Sequence, residues 1–156
     1  MPLLEAPTFD QLEHRKEILY GNIHREEWRW NGVLHSVDDH PSVKIDGAQE
    51  WQWHSHGMRH REGDRPAWIK DFGTIQIYYH LNVIHRARGG PAMISDTKQK
   101  WYSYGRIHRA DGPAIIHNDG HVEWWWKGYE YATMDEWADH GKVDPQLFVL
   151  LKLEWG

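Results

Sequence analysis

The sequence predicts a mainly β fold: stacked antiparallel β-hairpin repeats forming one elongated sheet, with a short N-terminal helix and a C-terminal helical cap. Three observations predict it. A unit of roughly two dozen residues recurs along the chain, and a fixed period of that length marks repeat architectures. Each copy carries two turn signals, one at Gly or Asn and one at or near Asp-Gly, so each copy holds two strands. After Tyr131 the pattern changes to helix punctuation. The implied organisation is an N-terminal helical segment over 1–16, a repeat array over 17–131 and a cap over 132–156.

Composition bounds the core. The chain of 156 residues holds eleven Trp and seven Tyr against three Phe. Mean hydropathy is −0.81. With few aliphatics, the core is built largely from indole and phenol rings, which bury much area but need partners for their N–H and O–H groups. A net charge of −5 and a pI near 6.2 argue against a general phosphate-backbone binder. The absence of cysteine leaves no disulfide framework and no thiolate metal site, which fits a cytoplasmic protein. No apolar run reaches the length of a membrane span, and the opening MPLLEAPTFD lacks the basic and apolar regions of a signal peptide.

In chain order, Thr8 as N-cap with Gln11 as its capping-box partner predicts a short helix near 8–15. Glu17–Tyr20 reads as a strand, because it leads into Gly21-Asn22-Ile23-His24-Arg25, a copy of Gly105–Arg109. Alignment on that histidine places His24, His35, His60, His85 and His108 together, at spacings of 25, 25 and 23 residues from His35 onward. The interval from His24 to His35 is too short for a full unit, so the first repeat is truncated. Gly21, Gly32, Gly57, Asn82 and Gly105 each precede their histidine by three residues, where a reversal needs positive φ. Arg25, Arg61, Arg86 and Arg109 follow the histidine directly. Then come Pro41, Pro66, Pro91 and Pro113, each followed by Ser or Ala. Proline suits the first residue of a strand, and the small residue implies the close approach of a tryptophan. The strands Ser42–Ile45, Ala67–Lys70, Ala92–Ser95 and Ala114–His117 end at Asp46-Gly47, Asp71-Phe72-Gly73, Asp96-Thr97 and Asp119-Gly120. Trp51, Ile77, Trp101 and Trp124 open the next strands. Alternation puts Trp51, Trp101 and Trp124 on the packed face and a ladder of Tyr78, Tyr102 and Trp125 on the exposed one. About nine to eleven strands result, because each hairpin is marginal alone and stacks on its neighbours. Thr133–Glu136 then caps a helix near 134–140 that ends at Gly141. Asp144-Pro145 opens a second helix with Leu147, Phe148, Leu150, Leu151 and Leu153, which covers the sheet or pairs with a second copy.

The elements Trp-x3-Gly-x2-His-Arg-x2-Gly-Pro-Ala and Asp-Gly-x3-Trp resemble the tandem "HRxDGPA" aromatic hairpin repeats of tailed-phage and giant-virus proteins, themselves distantly similar to MORN repeats. The resemblance covers about 17–131 and is strongest at Trp101–Trp124. His108, Arg109, Asp111, Gly112, Pro113 and Ala114 all match there. It departs at Ser36 and Asp39-His40-Pro41, and at Arg65-Pro66. It implies a viral accessory protein and no catalytic residue.

Thirteen histidines invite a metal reading, and His54, His56 and His60 are the densest group. A strand His-x-His puts two imidazoles on one face, which suits zinc or nickel. The repeat explains His60 instead as a turn residue bonded to nearby backbone, so the reading is no metal and no cofactor. The His-Arg pairs recur once per unit, whereas a catalytic constellation occurs once, so no enzyme is expected. Aromatics with interleaved arginine make a protein-binding hot spot. Tyr78, Tyr102, Trp125, Arg86 and Arg109 are the expected partner-binding residues. The functional expectation is a non-enzymatic interaction module. By the resemblance, it is phage-encoded and inhibits a host protein, such as a defence or transcription factor, in the host cytoplasm. The alternatives are a binder of nucleotide, nucleic acid or glycan through an aromatic groove, or a structural virion component that oligomerises through its C-terminal helix.

Overall fold

The structure is a computed structural model and describes residues 6–156. It is mainly β, with eighteen short strands among the described residues, a 3-10 turn near the N-terminus and two C-terminal helices. It divides into two compact units, the first ending at Val83 and the second running Ile84–Gly156.

In the first unit the strands are β1 (Glu13–Tyr20), β2 (Ile23–Trp30), β3 (Val33–Leu34), β4 (Val43–Ile45), β5 (Glu50–Gln52), β6 (His54–Ser55), β7 (Met58–Arg59), β8 (Trp68–Lys70), β9 (Ile75–Ile77) and β10 (Tyr79–His80). β11 (Val83–Ile84) closes the hairpin in which this unit ends. The strand order β1-β2-β4-β5-β8-β9 is antiparallel throughout. The predicted helix near 8–15 is one 3-10 turn, Phe9–Gln11, and β1 begins four residues earlier than Glu17. The capping partner is as expected: Thr8 N–H donates to Gln11 Oε1 at 2.9 Å. The turn stops there because Leu12 is extended and Glu13 already pairs with Arg29. Part of the expected 1–16 segment, residues 1–5, lies outside the described residues, and 13–16 belong to β1.

The strand count exceeds the expected nine to eleven in part because three aromatic strands break in two, giving β5 and β6, β9 and β10, and a like pair in the second unit, whereas β2 runs unbroken through Trp28. In the second repeat, β5 pairs in the sheet, the chain turns away at Trp53, and β6 pairs with β7 in a separate tip hairpin. Trp53 N–H donates to Ala67 O at 2.9 Å, and His60 N–H donates to Trp53 O at 3.1 Å. The tryptophan is therefore the pivot between sheet and tip. Trp28 repeats the pattern with Ser42 and His35, and Trp101 with Ala114 and His108. The pivot lies seven residues before each histidine, and Trp28, Trp53, Tyr78, Trp101 and Trp124 occupy it or its counterpart. All five are buried. Sequence alignment had put Trp51 and Ile77 in this row; the structure puts Trp53 and Tyr78 there. The small residues after the prolines, Ser42, Ala67, Ala92 and Ala114, have no exposed surface, and the carbonyls of Ser42, Ala67 and Ala114 accept the pivot N–H.

In the second unit the strands are β12 (Met93–Ile94), β13 (Lys98–Lys100), β14 (Tyr102–Ser103), β15 (Arg106–Ile107), β16 (Ile115–His117), β17 (Val122–Trp126) and β18 (Tyr129–Tyr131). The order β12-β13-β16-β17-β18 is again antiparallel, and β14 and β15 form a tip hairpin. Helices α1 (Met134–Gly141) and α2 (Pro145–Trp155) follow. Thr133 Oγ1 accepts from Glu136 N–H at 3.2 Å, and Asp144 Oδ1 accepts from the N–H groups of Gln146 and Leu147. Buried Trp124, Met134, Trp137, Ala138 and Leu151 form the core that joins helices to sheet. Gly141 is not the left-handed residue of the α1 terminus; Lys142 is, at φ +50°. Gly141 is glycine because a β-carbon there would meet the Trp126 ring at 3.0 Å.

Candidate functional site

The repeated residues are structural, and the geometry shows how. His35, His85 and His108 each turn Nδ1 toward the next tip hairpin and accept a backbone N–H, from His56 (3.1 Å), Tyr104 (3.5 Å) and Lys127 (3.3 Å). Burial and the charge of His56 hold the His35 ring below the usual histidine range; burial and Lys127 do so for His108. Both effects favour the neutral ring that acceptance requires. At His60 the stitch comes from Asn82 instead, whose Oδ1 accepts Arg59 N–H at 2.7 Å. The arginines fold inward. Arg61 lies over Trp53 at 3.7 Å and Arg109 over Trp101 at 4.2 Å. Arg61, Arg86 and Arg109 each donate from Nη1 to the carbonyl of their own proline, Pro66, Pro91 and Pro113. Arg61 also grips Asp39, whose carboxyl it holds below the usual range by a direct hydrogen bond.

The residues of the expected partner-binding face do not all share one exposed ladder. Tyr78 is buried in the pivot row, because it stands seven residues before His85 as Trp53 does before His60. Tyr102 and Trp125 are half-buried, and Trp125 donates from Nε1 to Glu123 at 2.9 Å. Arg86 and Arg109 have guanidinium groups committed to proline carbonyls. Nor do His54, His56 and His60 converge. His54 is buried with Nδ1 hydrogen-bonded to Ser42 Oγ at 2.8 Å, His56 packs on His35 and Trp30, and His60 packs on His80 and bonds Glu62.

Two features escaped sequence reasoning. The first is a row of tips within each unit. Each tip reverses through two residues of positive φ: Asn31-Gly32, His56-Gly57, Leu81-Asn82, Tyr104-Gly105 and Lys127-Gly128. That is the turn whose twist matches paired strands. The second residue's N–H donates to the preceding tip, Gly57 to Leu34, Asn82 to Arg59, Gly105 to Ile84 and Gly128 to Ile107, at 2.8–2.9 Å. The stitching lines up side chains that face solvent. In the first unit these are Val33, Met58 and Leu81, 41%, 37% and 42% exposed; in the second they are Tyr104 and Tyr129, both 71% exposed. Beside Val33 an apolar cleft of about 430 Å³ opens between Pro7, Trp30 and His56. The signal was present as an apolar residue within one or two positions of each turn glycine.

The second is a cluster on the β16–β17 hairpin. Asp119 and Gly120, with Gly120 at φ +91°, close a three-residue loop in which His117 N–H donates to His121 O at 2.9 Å. His117, His121 and Glu123 then lie on one side, and their ligand atoms fall within 4.8 Å of one another, the one such group among the described residues. His117 Nε2 and Glu123 Oε1 are 2.8 Å apart. Burial alone raises the Glu123 carboxyl, but the hydrogen bonds from His117 and Trp125 prevail and hold it below its usual range. The readable signal was His-x3-His-x-Glu across an Asp-Gly reversal.

No protein-family model, curated protein or solved structure matches this chain. The repeat geometry and these two features are therefore what a functional reading rests on.

Proposed function

We propose that the protein is a non-enzymatic protein-interaction module that grips its partner along the hairpin tips. One observation carries the reading: apolar and aromatic side chains recur, exposed, at stitched turns. Rings and aliphatic groups held on a rigid backbone lose little entropy on binding, and such clusters form the hot spots of interfaces. Leu81 adds to it, because a leucine at φ +48° is strained and a local asparagine would relieve the strain. That the partner is a host protein, met by a phage-encoded inhibitor, is part of the same proposal and rests on the repeat resemblance.

The test is capture of a partner from a cell lysate by the tagged protein, repeated with Met58→Glu and Tyr104→Glu. Both residues face solvent, so the variants keep the wild-type melting temperature within a degree or two. Loss of the captured protein, with Kd weakened at least tenfold, supports the reading. Capture unchanged by both variants overturns it. The apolar cleft beside Val33 favours a second reading, a small-ligand binder. It is tested by a fragment screen monitored through Trp30 fluorescence, and saturable quenching lost in Val33→Asp supports it.

A further inference from the structure

We propose that His117, His121 and Glu123 form a binding site for a divalent transition metal of the zinc class, with one coordination position open to solvent. The hairpin loop sets the two imidazoles across from each other, His117 ending β16 and His121 preceding β17. Glu123 follows His121 by two residues, so strand alternation returns its side chain to the same face. The three ligand atoms already fall within 4.8 Å of one another, and His117 Nε2 and Glu123 Oε1 are at 2.8 Å. A tetrahedral ion bonded at about 2.0–2.2 Å needs ligand atoms roughly 3.3–3.5 Å apart. The nearer pair therefore opens slightly and His121, exposed at the hairpin end, closes in. On binding, the ion takes the place of the hydrogen between His117 Nε2 and Glu123 Oε1, and the neutral imidazole then carries its one proton on Nδ1.

The donor set selects the metal. Two imidazole nitrogens and one carboxylate suit zinc, cobalt, nickel or copper, whereas calcium and magnesium take oxygen ligands. The carboxylate also has an outer partner: Trp125 donates from Nε1 to Glu123 Oε2 at 2.9 Å and leaves Oε1 for the ion. The loop beneath is anchored, because Asn118 N–H donates to Thr97 O at 2.9 Å and Asn118 Nδ2 donates to Asp96 O. Three protein ligands leave a fourth position for water or for an incoming side chain.

The experiment uses the full, tag-free chain stripped with chelator. It is titrated with Co2+, read by visible absorption, and with Zn2+, read by calorimetry. One equivalent with the intense visible bands of a four-coordinate cobalt ion is expected. His121→Ala and Glu123→Gln each weaken the affinity by more than about tenfold, and Trp125→Phe weakens it by about tenfold through the outer hydrogen bond. His56→Ala, a control histidine elsewhere, leaves it unchanged. Because His121 is exposed, the apo His121→Ala protein melts with the wild type. Failure of both ions to bind saturably below millimolar concentration overturns the proposal. So does a stoichiometric site that His121→Ala leaves intact.

Discussion

His54 is a titratable ring in an almost dry place. It is 5% exposed, and burial, aided by the Arg59 charge, lowers its pKa to about 4. Its Nδ1 is held by Ser42 Oγ, and Ser42 itself has no exposed surface. The folded ring is therefore neutral where the unfolded one, near 6.5, is charged. The sign follows directly. Between pH 6.5 and about 4 the unfolded chain binds a proton that the folded chain does not, so stability falls as pH falls through that window. Above it the full stability is present, and below it the slope from this ring vanishes. A shift of that size is worth about 3 kcal/mol. His35, His40 and His108, lowered chiefly by burial, act in the same direction. Urea midpoints measured from pH 7.5 to 4 should fall steeply. The decline in His54→Gln should be the shallower by a large part of that amount, with the His54 ring proton resonances of the native protein shifting only near the bottom of the range.

The elements show where residue patterns were readable and where they were not. Positive φ at Gly32, Gly57, Asn82 and Gly105 was legible, since only Gly and Asn enter that region cheaply. So were the proline-led strands, whose observed starts differ from the expected ones by one residue. The C-terminal caps were legible too, because Thr133 and Asp144 bond the N–H groups that their types predict. What was not legible is the break at the pivot. Trp51 and Trp53 look alike in a row of letters, yet only Trp53 donates to Asp39 O, at 2.9 Å, and carries Arg61 on its face. The three-dimensional partner of a tryptophan decides its burial, and that partner is fourteen residues upstream. The same blindness misplaced Tyr78. Nor could composition reveal that the left-handed position at a tip is held by Leu81 rather than by asparagine. Leu81→Asn should relieve that strain and raise stability by roughly 0.5–1 kcal/mol. If the tips bind the partner, the same change should weaken the complex. A variant that is more stable by thermal melt and binds less tightly by calorimetry would tie the strained leucine to recognition; equal stability would show that the turn bears leucine without strain.

At the scale of the molecule, the repeat is the unit that specifies structure. The copy at Trp53 in the first unit and the copy at Trp101 in the second carry one set of bonds: pivot N–H to the small residue, histidine N–H to the pivot carbonyl, turn N–H to the previous tip; the copy at Trp28 carries the first two and Asn82 the third. These bonds follow the register and not the identity of most side chains, so Ser42 can stand for alanine and Asn82 for glycine. The array should therefore tolerate loss of a whole copy but not of a part. Deletion of residues 53–77 joins Gln52 to Tyr78, which then falls where Trp53 stood, and every later position keeps its place in the repeat. Deletion of 53–72 removes a similar length but leaves the chain out of register, and a slip of that kind turns buried faces toward water. The first variant should keep a β-type circular dichroism spectrum and a cooperative, if lower, melting transition. The second should lose cooperative melting and aggregate. It should do so even though it retains more of the native chain, because five leftover residues, Gly73–Ile77, displace the pivot and with it every bond that the histidine and the turn make. If both variants melt alike, the tips and pivots stabilise each hairpin on its own, and the bonds from one copy to the next contribute little.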